Sequence, residues 1–136
     1  MPFVLDTSVT LAWSFRDEQS AYSYRVLRRL DDDSALVPPV WLLEVANGLL
    51  MAERRGRVSA EDRATILGDL AALPIESSDL TVEQALGPVL DLARAHNLSA
   101  YDASYLELAM RESVPLATED DDLHAAAVRV GVSLVE

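Results

Sequence analysis

Glu44 is the residue of this sequence whose position most needs a chemical partner. It lies in PPVWLLEVANGLLMA, where nearly every neighbour is apolar. In a helix, residues three or four apart share a face, so Glu44, Asn47 and Gly48 would form one narrow polar strip. A glutamate in the middle of such a helix has no capping role, and burial of its charge is unfavourable without a partner. Because carboxylate oxygens suit Mg²⁺ and Mn²⁺, we expect a divalent cation to be that partner.

Two further carboxylates follow predicted strands. Asp6 ends the apolar run PFVLD, and Asp120 follows VPLAT. Ligands of parallel sheets bind beyond the carboxyl ends of the strands, so both side chains are expected at the same edge. Each also has an ordinary alternative role. Asp6 suits the N-cap of the next helix, and Asp120, Asp121 and Asp122 suit the first turn of a helix, where the dipole favours negative charge.

Asp102 and the two histidines have local explanations when each is considered alone. Asp102 lies three residues after Ser99, which is the spacing of a capping box in its acidic variant. His96 ends a predicted helix, where histidine commonly caps carbonyl groups. His124 lies four residues after Asp120 and is expected near that residue, but we include neither histidine in the predicted site.

Composition excludes several kinds of site. The 136 residues include no cysteine, which removes thiolate metal sites and thiol nucleophiles. All 11 basic residues are arginine, so a P-loop lysine and a Schiff-base lysine are excluded as well. No run resembles a signal peptide or a membrane span, and half of the residues are apolar. We therefore expect a single soluble domain over residues 1–136 in the cytoplasm.

Short apolar runs alternate with helical segments along the chain. Five runs are predicted to be strands: PFVLD, ALVPP, PIESS, VPLAT and VSLVE. Capping-box spacings mark the start of two of the intervening helices: Ser59 with Asp62, and Thr81 with Gln84. Gly87 and Pro88 are expected to kink the second of these helices. The alternation predicts an α/β fold with a mostly parallel sheet covered by helices on both faces.

Four motifs in order give the sequence a family resemblance. They are VLDTSV at the start, EVANGL in the middle, AYDASYLELA late in the chain and LATEDDDLHAAA near the end. Together they resemble the PIN domain in its VapC-type toxin form, over almost the whole chain. The resemblance implies a single PIN domain over residues 1–136, with a three-layer fold and a central, mostly parallel five-stranded sheet flanked by helices.

The resemblance also implies a metal-dependent endoribonuclease site. Matched motif by motif, its acidic positions are Asp6, Glu44, Asp102 and Asp120. Asp120 is chosen because the family pattern places the acid two residues after a threonine and three before a leucine. Asp121 and Asp122 depart from that pattern, so the sequence leaves open whether either shares the role of Asp120. The supporting polar positions that match the family are Thr7 or Ser8, Asn47 and Thr118.

The implied cofactor is Mg²⁺ or Mn²⁺, as one or two ions that activate water and relieve charge on a phosphodiester. The implied partners are RNA, a VapB-like antitoxin and a second copy of the chain. Aromatic residues that suit an interface are Trp13, Trp41, Tyr22 and Tyr24. Arginines that suit phosphate contacts are Arg16, Arg25, Arg28, Arg29, Arg54, Arg55 and Arg57. Two alternatives remain: a PIN-fold binding module without cleavage activity, and a small acidic α/β scaffold whose carboxylates only cap helices.

Overall fold

The computed structural model of the protein describes residues 1–136. Its strands are β1 (Phe3–Leu5), β2 (Ala35–Val37), β3 (Ile75–Ser77) and β4 (Leu116–Ala117). Its helices are α1 (Thr7–Ser14), α2 (Ala21–Arg29), α3 (Val40–Arg54), α4 (Ala60–Ala71), α5 (Val82–Gln84), α6 (Leu90–His96), α7 (Ala100–Glu112) and α8 (Asp121–Val130). A 3₁₀ turn (Arg16–Glu18) follows α1, and a π-helical turn (Ala85–Val89) joins α5 to α6.

The four strands form one parallel sheet in the order β3-β2-β1-β4. All three residues of β1 are fully buried, as expected for an apolar strand in a sheet covered on both faces. Val4 lies opposite Leu36 of β2 on one side and Leu116 of β4 on the other. The carboxyl end of β1 therefore lies between two neighbouring strand ends, which is where ligands of such sheets bind. The predicted parallel α/β fold is confirmed.

The predicted fifth strand is reduced to one bridge. Leu134 pairs in parallel with Leu116, and the backbone N–H of Val135 donates to the carbonyl of Leu116 at 2.9 Å. β4 is only two residues long, so it offers its neighbour no room for a longer ladder. The sheet has four strands rather than five, and the end of the chain adds a single bridge at the β4 edge.

Helix α7 lies at the centre of the molecule. Every residue from Ala103 to Ala109 is buried, and the helix packs against β1, α6 and α8. Two of these buried residues are polar, Ser104 and Glu107, and Glu107 pairs with an arginine of the same helix. Because the middle of α7 is fully covered, Tyr105 and the neighbouring Asp102 are carried on a rigid support.

Gly48 brings α3 close to α1. A Cβ atom added at Gly48 would lie 2.8 Å from Leu11 Cδ2, so any larger residue would press on that side chain. The indole Nε1 of Trp41 also joins the two helices, because it donates to Thr10 Oγ1 at 3.0 Å. The close approach of α3 positions Glu44 beside the start of α1.

The predicted helix starts and the predicted kink have clear counterparts. Both capping boxes form with reciprocal hydrogen bonds, at Ser59 with Asp62 and at Thr81 with Gln84. Pro88 lies within the π-helical turn, since a residue without an N–H cannot complete the ordinary helical ladder. No helix combines the length and the hydrophobicity that crossing a membrane requires.

The aromatic residues that suit an interface divide between core and surface. Trp41 is buried, and Trp13 is half-buried with its Nε1 donating to the carbonyl of Ser23 at 2.6 Å. Tyr24 is 58% exposed. The two tryptophans therefore pack within the chain itself.

Candidate active site

Asp6 is a buried carboxylate at the carboxyl end of β1. It occupies the N-cap position of α1, but its side chain accepts no capping hydrogen bond. Its Oδ2 atom instead accepts hydrogen bonds from Ser8 Oγ at 2.6 Å and from Thr118 Oγ1 at 2.8 Å. Burial raises the pKa of Asp6, and the charges of Glu44 and Asp120 raise it further against these two hydrogen bonds.

Ser8 and Thr118 connect Asp6 to the loop that follows β4. Ser8 Oγ accepts from the backbone N–H of Glu119 at 3.0 Å, and Thr118 Oγ1 accepts from that of Asp120 at 3.0 Å. Each hydroxyl thus donates to Asp6 and accepts from the loop. The loop that carries Asp120 is held against the end of β1 by these two side chains, both of which are predicted supporting residues.

Glu44 meets two hydroxyl groups at the junction of three helices. Its Oε1 atom accepts from Thr7 Oγ1 on α1 at 3.1 Å and from the Tyr105 hydroxyl on α7 at 2.5 Å. The sequence predicts a cation as the partner of Glu44, but two hydroxyl groups of the protein also bind the Glu44 carboxylate. Burial and the hydrogen bond to Glu44 raise the pKa of Tyr105 well above its ordinary value, so the phenol keeps its proton and donates.

Tyr105 is a site residue absent from the predicted set. It is fully buried, and its hydroxyl lies 2.6 Å from Thr7 Oγ1 as well as beside Glu44. The sequence did hold a signal, since Tyr105 follows Asp102 by three residues and so shares its face of the helix. The contact with Glu44 spans 61 residues, however, so no local sequence pattern indicates it.

Asp102 lies in the first turn of α7, and Ser99 is the N-cap of that helix. Ser99 Oγ accepts from the backbone N–H of Asp102 at 3.0 Å, but the carboxylate does not accept from the backbone N–H of Ser99, so only half of the predicted capping box forms. Burial raises the pKa of Asp102, and repulsion by Asp6 and Asp120 adds to the effect. The carboxylate does interact with the Ser99 side chain, which lowers the pKa of Asp102 against these larger opposing effects.

Asp120 combines a capping role with a place at the site. Its Oδ2 atom accepts from the backbone N–H of Leu123 at 2.8 Å, so it is the N-cap of α8. Its charge also acts on Asp6 and Asp102. Asp121 and Asp122 are exposed residues in the first turn of α8. Only Asp122 of these two adds to the repulsion felt by Asp102.

The remaining polar candidates take no part in this hydrogen-bond network. Asn47 is exposed on α3 and its side chain makes none of the hydrogen bonds described. His96 accepts a hydrogen bond from Arg129 Nε at 3.2 Å. His124 lines a cavity of about 540 Å³ together with Tyr22 and Asp120. Of the two histidines, His124 is thus the one beside the acidic site.

The four carboxylates have no cationic partner within the protein. None of the ion pairs of the chain includes Asp6, Glu44, Asp102 or Asp120. Oδ1 of Asp6, Oε2 of Glu44 and Oδ1 of Asp120 accept no protein hydrogen bond, because the neighbouring donors all bind the other oxygen. Free carboxylate oxygens fit a hard divalent cation.

The acidic side chains do not converge on a single point. No three acidic or histidine side chains are arranged to hold a metal ion as they stand. To hold one ion between them, the carboxylates would have to move closer together.

A family model for the PIN domain matches residues 3–129. The chain belongs to the PIN domain family. All four acidic positions fall within the matched part of this PIN domain. No curated protein matches the sequence.

Solved structures share the fold of this PIN domain. VapBC2 from Rickettsia felis, bound to a DNA fragment from their promoter, is 15% identical with a TM-score of 0.68, covering 100% of this chain and 98% of that chain. VapC20 from Mycobacterium tuberculosis, a toxin that cleaves the sarcin-ricin loop, is 16% identical with a TM-score of 0.65, covering 91% and 94%. FitAcB from Neisseria gonorrhoeae is 18% identical with a TM-score of 0.64, covering 100% and 97%.

Proposed function

We propose that this PIN domain is a divalent-metal-dependent endoribonuclease and the toxin of a toxin–antitoxin pair. One observation carries the proposal: the charges of the four carboxylates act on one another beyond the central strand, and none of the four takes part in an ion pair of the chain. Structural similarity to VapC20, a toxin that cleaves the sarcin-ricin loop, supports the choice of substrate. A cytoplasmic location is part of the same proposal.

Asp6, Glu44, Asp102 and Asp120 would hold Mg²⁺ or Mn²⁺. The bound ion would supply an activated water and would neutralise charge on the phosphodiester. The protein's own contribution is positioning. Ser8 and Thr118 orient the Asp6 carboxylate, Thr7 orients Glu44, and the N-cap hydrogen bond orients Asp120. No histidine or lysine base is then needed, which agrees with the composition.

Arg25 is the arginine best placed for an RNA contact. Its guanidinium lies over the ring of Tyr22, 5.7 Å from the ring centroid, and Tyr22 lines the cavity beside Asp120. Three of the other predicted arginines, Arg28, Arg29 and Arg57, pair with acidic residues of the chain. An arginine beside the site can contact a phosphate that enters it.

The test is cleavage of total RNA and of a labelled random-sequence RNA, with Mg²⁺, with Mn²⁺ or with EDTA. Wild type is expected to cleave only with metal. Asp102→Asn should not cleave but should stay at least as stable without metal, since burial and repulsion disfavour its charge. Asp69→Asn is the matched control, because Asp69 is exposed on α4 and has no side-chain partner.

Metal-dependent cleavage by Asp102→Asn at the wild-type rate would refute the site assignment. Metal binding by wild type without cleavage of either RNA would favour the binding-module alternative. Sequencing the 5′ ends of RNA after induced expression would identify the substrate and the phosphodiester that is cut.

The proposed antitoxin would bind across an apolar groove and the acidic site. The groove lies between α3 and α4 and is lined almost entirely by apolar side chains, including Trp41, Val45 and Leu70. Leu42 and Leu67, also in its lining, are 53% and 46% exposed. The groove shares α3 with Glu44, so an amphipathic helix seated there could place an arginine or lysine among the carboxylates.

The partner proposal predicts competition between antitoxin and metal. Affinity for an antitoxin peptide should fall as Mg²⁺ or Mn²⁺ is raised, and should fall when the basic residue of the peptide is changed to alanine. Calorimetric titration measures both effects. Unchanged affinity in both experiments would show that the antitoxin does not neutralise the acidic site.

A further inference from the structure

We propose that Tyr105 is a positioning residue of the acidic site: its hydroxyl group holds one oxygen of Glu44 so that the other oxygen faces the site. The inference rests on the proposed metal-dependent function. It adds a residue that the predicted ligand and supporting sets do not contain.

The contact joins three separate elements. Tyr105 is fully buried on α7, Thr7 begins α1, and Glu44 lies in the second turn of α3. The Tyr105 hydroxyl lies 2.5 Å from Glu44 Oε1 and 2.6 Å from Thr7 Oγ1, while Thr7 Oγ1 lies 3.1 Å from the same Glu44 oxygen. The three oxygens form a closed triangle, each lying within 3.1 Å of the other two.

The proton count explains why the triangle orients Glu44. The phenol and the threonine hydroxyl carry one proton each, and the ionised carboxylate has none to donate. A carboxylate only accepts, and two protons cannot serve all three contacts. The phenol donates to Oε1, and the threonine hydroxyl donates either to Oε1 or to the phenol oxygen. Both hydroxyl groups lie beside Oε1, so Oε2 remains free of protein hydrogen bonds.

The rigidity of α7 is what makes Tyr105 suitable. Glu44 is only half-buried, and a half-buried glutamate without fixed partners can adopt several rotamers. Thr7 alone would leave the longer Glu44 side chain held by one hydrogen bond. Because the Tyr105 ring is packed on all sides, its hydroxyl has a defined position from which to hold Glu44.

The simpler explanation is that Tyr105 is a core residue whose hydroxyl merely needs a partner. The two explanations differ in what Tyr105→Phe changes. A core role affects folding stability alone. A positioning role affects cation affinity, and only when Glu44 is present to be positioned.

The experiment measures Mn²⁺ affinity by calorimetry in Tyr105→Phe, with and without Glu44→Gln. Tyr105→Phe should weaken binding about 10- to 100-fold, the usual effect of removing a partner of a metal ligand. In the Glu44→Gln background the same change should alter affinity less than about twofold. Tyr101→Phe is the control, because Tyr101 lies on the same helix, is 64% exposed and makes no side-chain hydrogen bond.

A second measurement does not depend on the phenylalanine variant folding. Wild type labelled with 3-fluorotyrosine should show a ¹⁹F shift of the Tyr105 resonance on addition of Mg²⁺, and Glu44→Gln should show none. Wild-type Mn²⁺ affinity in Tyr105→Phe, an equal loss in the Glu44→Gln background, or an unmoved resonance would overturn the inference. Failure of wild type itself to bind Mn²⁺ would instead refute the proposed function and this inference together.

Discussion

Thr118→Val removes one hydroxyl from the network that joins β1 to the loop after β4. Thr118 is 4% exposed, donates to Asp6 Oδ2 at 2.8 Å and accepts from the N–H of Asp120 at 3.0 Å. Valine keeps the branched shape, so the change isolates these two hydrogen bonds. A hydrogen bond to a charged group contributes about 1.5 to 3 kcal/mol, and an N–H left without an acceptor adds about 1 kcal/mol.

We therefore expect Thr118→Val to lower the free energy of unfolding by about 3 kcal/mol. For a chain of this length, that loss corresponds to a fall in Tm of about 10 °C. Thermal denaturation of the metal-free protein at pH 7 measures it, with Thr118→Ser as the control that keeps the hydroxyl. A Tm for Thr118→Val within about 2 °C of wild type would refute the assignment of both hydrogen bonds.

Three further outcomes are expected. The pKa values of Asp6 and Asp102 are raised in the folded protein. The protonated side chains therefore stabilise the metal-free fold below about pH 4, and this stabilisation is lost as the pH rises through the raised pKa values. Between pH 4 and pH 7, the free energy of unfolding of Asp6→Asn should rise relative to that of wild type in denaturation experiments. A difference that does not change with pH would contradict this prediction. Gly48→Ala should change the free energy of unfolding in urea by less than about 1 kcal/mol, since alanine is a better helix former and the end of the Leu11 side chain can move aside. Gly48→Leu should lose about 3 kcal/mol. Equal stability of the two variants would contradict the close approach of α3 to α1. Light scattering at micromolar concentration should give twice the 14.9 kDa chain mass, whereas a monomer would contradict the dimer that the family resemblance implies.

Local rules were enough to predict most of the fold. Capping spacings at Ser59 and Thr81 gave two helix starts, because a cap depends only on residues within one turn. The apolar run ending at Asp6 predicted the central strand, since a covered parallel strand has no polar alternation. The last strand was predicted too long, because strand length depends on the partner, and β4 has only two residues.

The site was predicted less completely, because its contacts are long-range. Spacing from Ser99 predicted a capping box with Asp102, but only the hydrogen bond from the Asp102 N–H to Ser99 forms. Tyr105 reaches Glu44 across 61 residues, so only the tertiary structure reveals the contact. Asn47 had the right helical spacing to join Glu44, yet spacing alone did not place it in the hydrogen-bond network.

Mn²⁺ binding is the property that the four-carboxylate site must have if the proposed function is right. Calorimetric titration of wild type, Asp6→Asn, Glu44→Gln, Asp102→Asn and Asp120→Asn compares all four positions in one experiment. We predict that wild type binds one or two ions and that each substitution weakens binding at least about tenfold, while Asp69→Asn binds as wild type does. Absence of binding in wild type, or wild-type affinity in the Asp6 and Asp102 variants, would contradict the assignment of this cluster as the metal site.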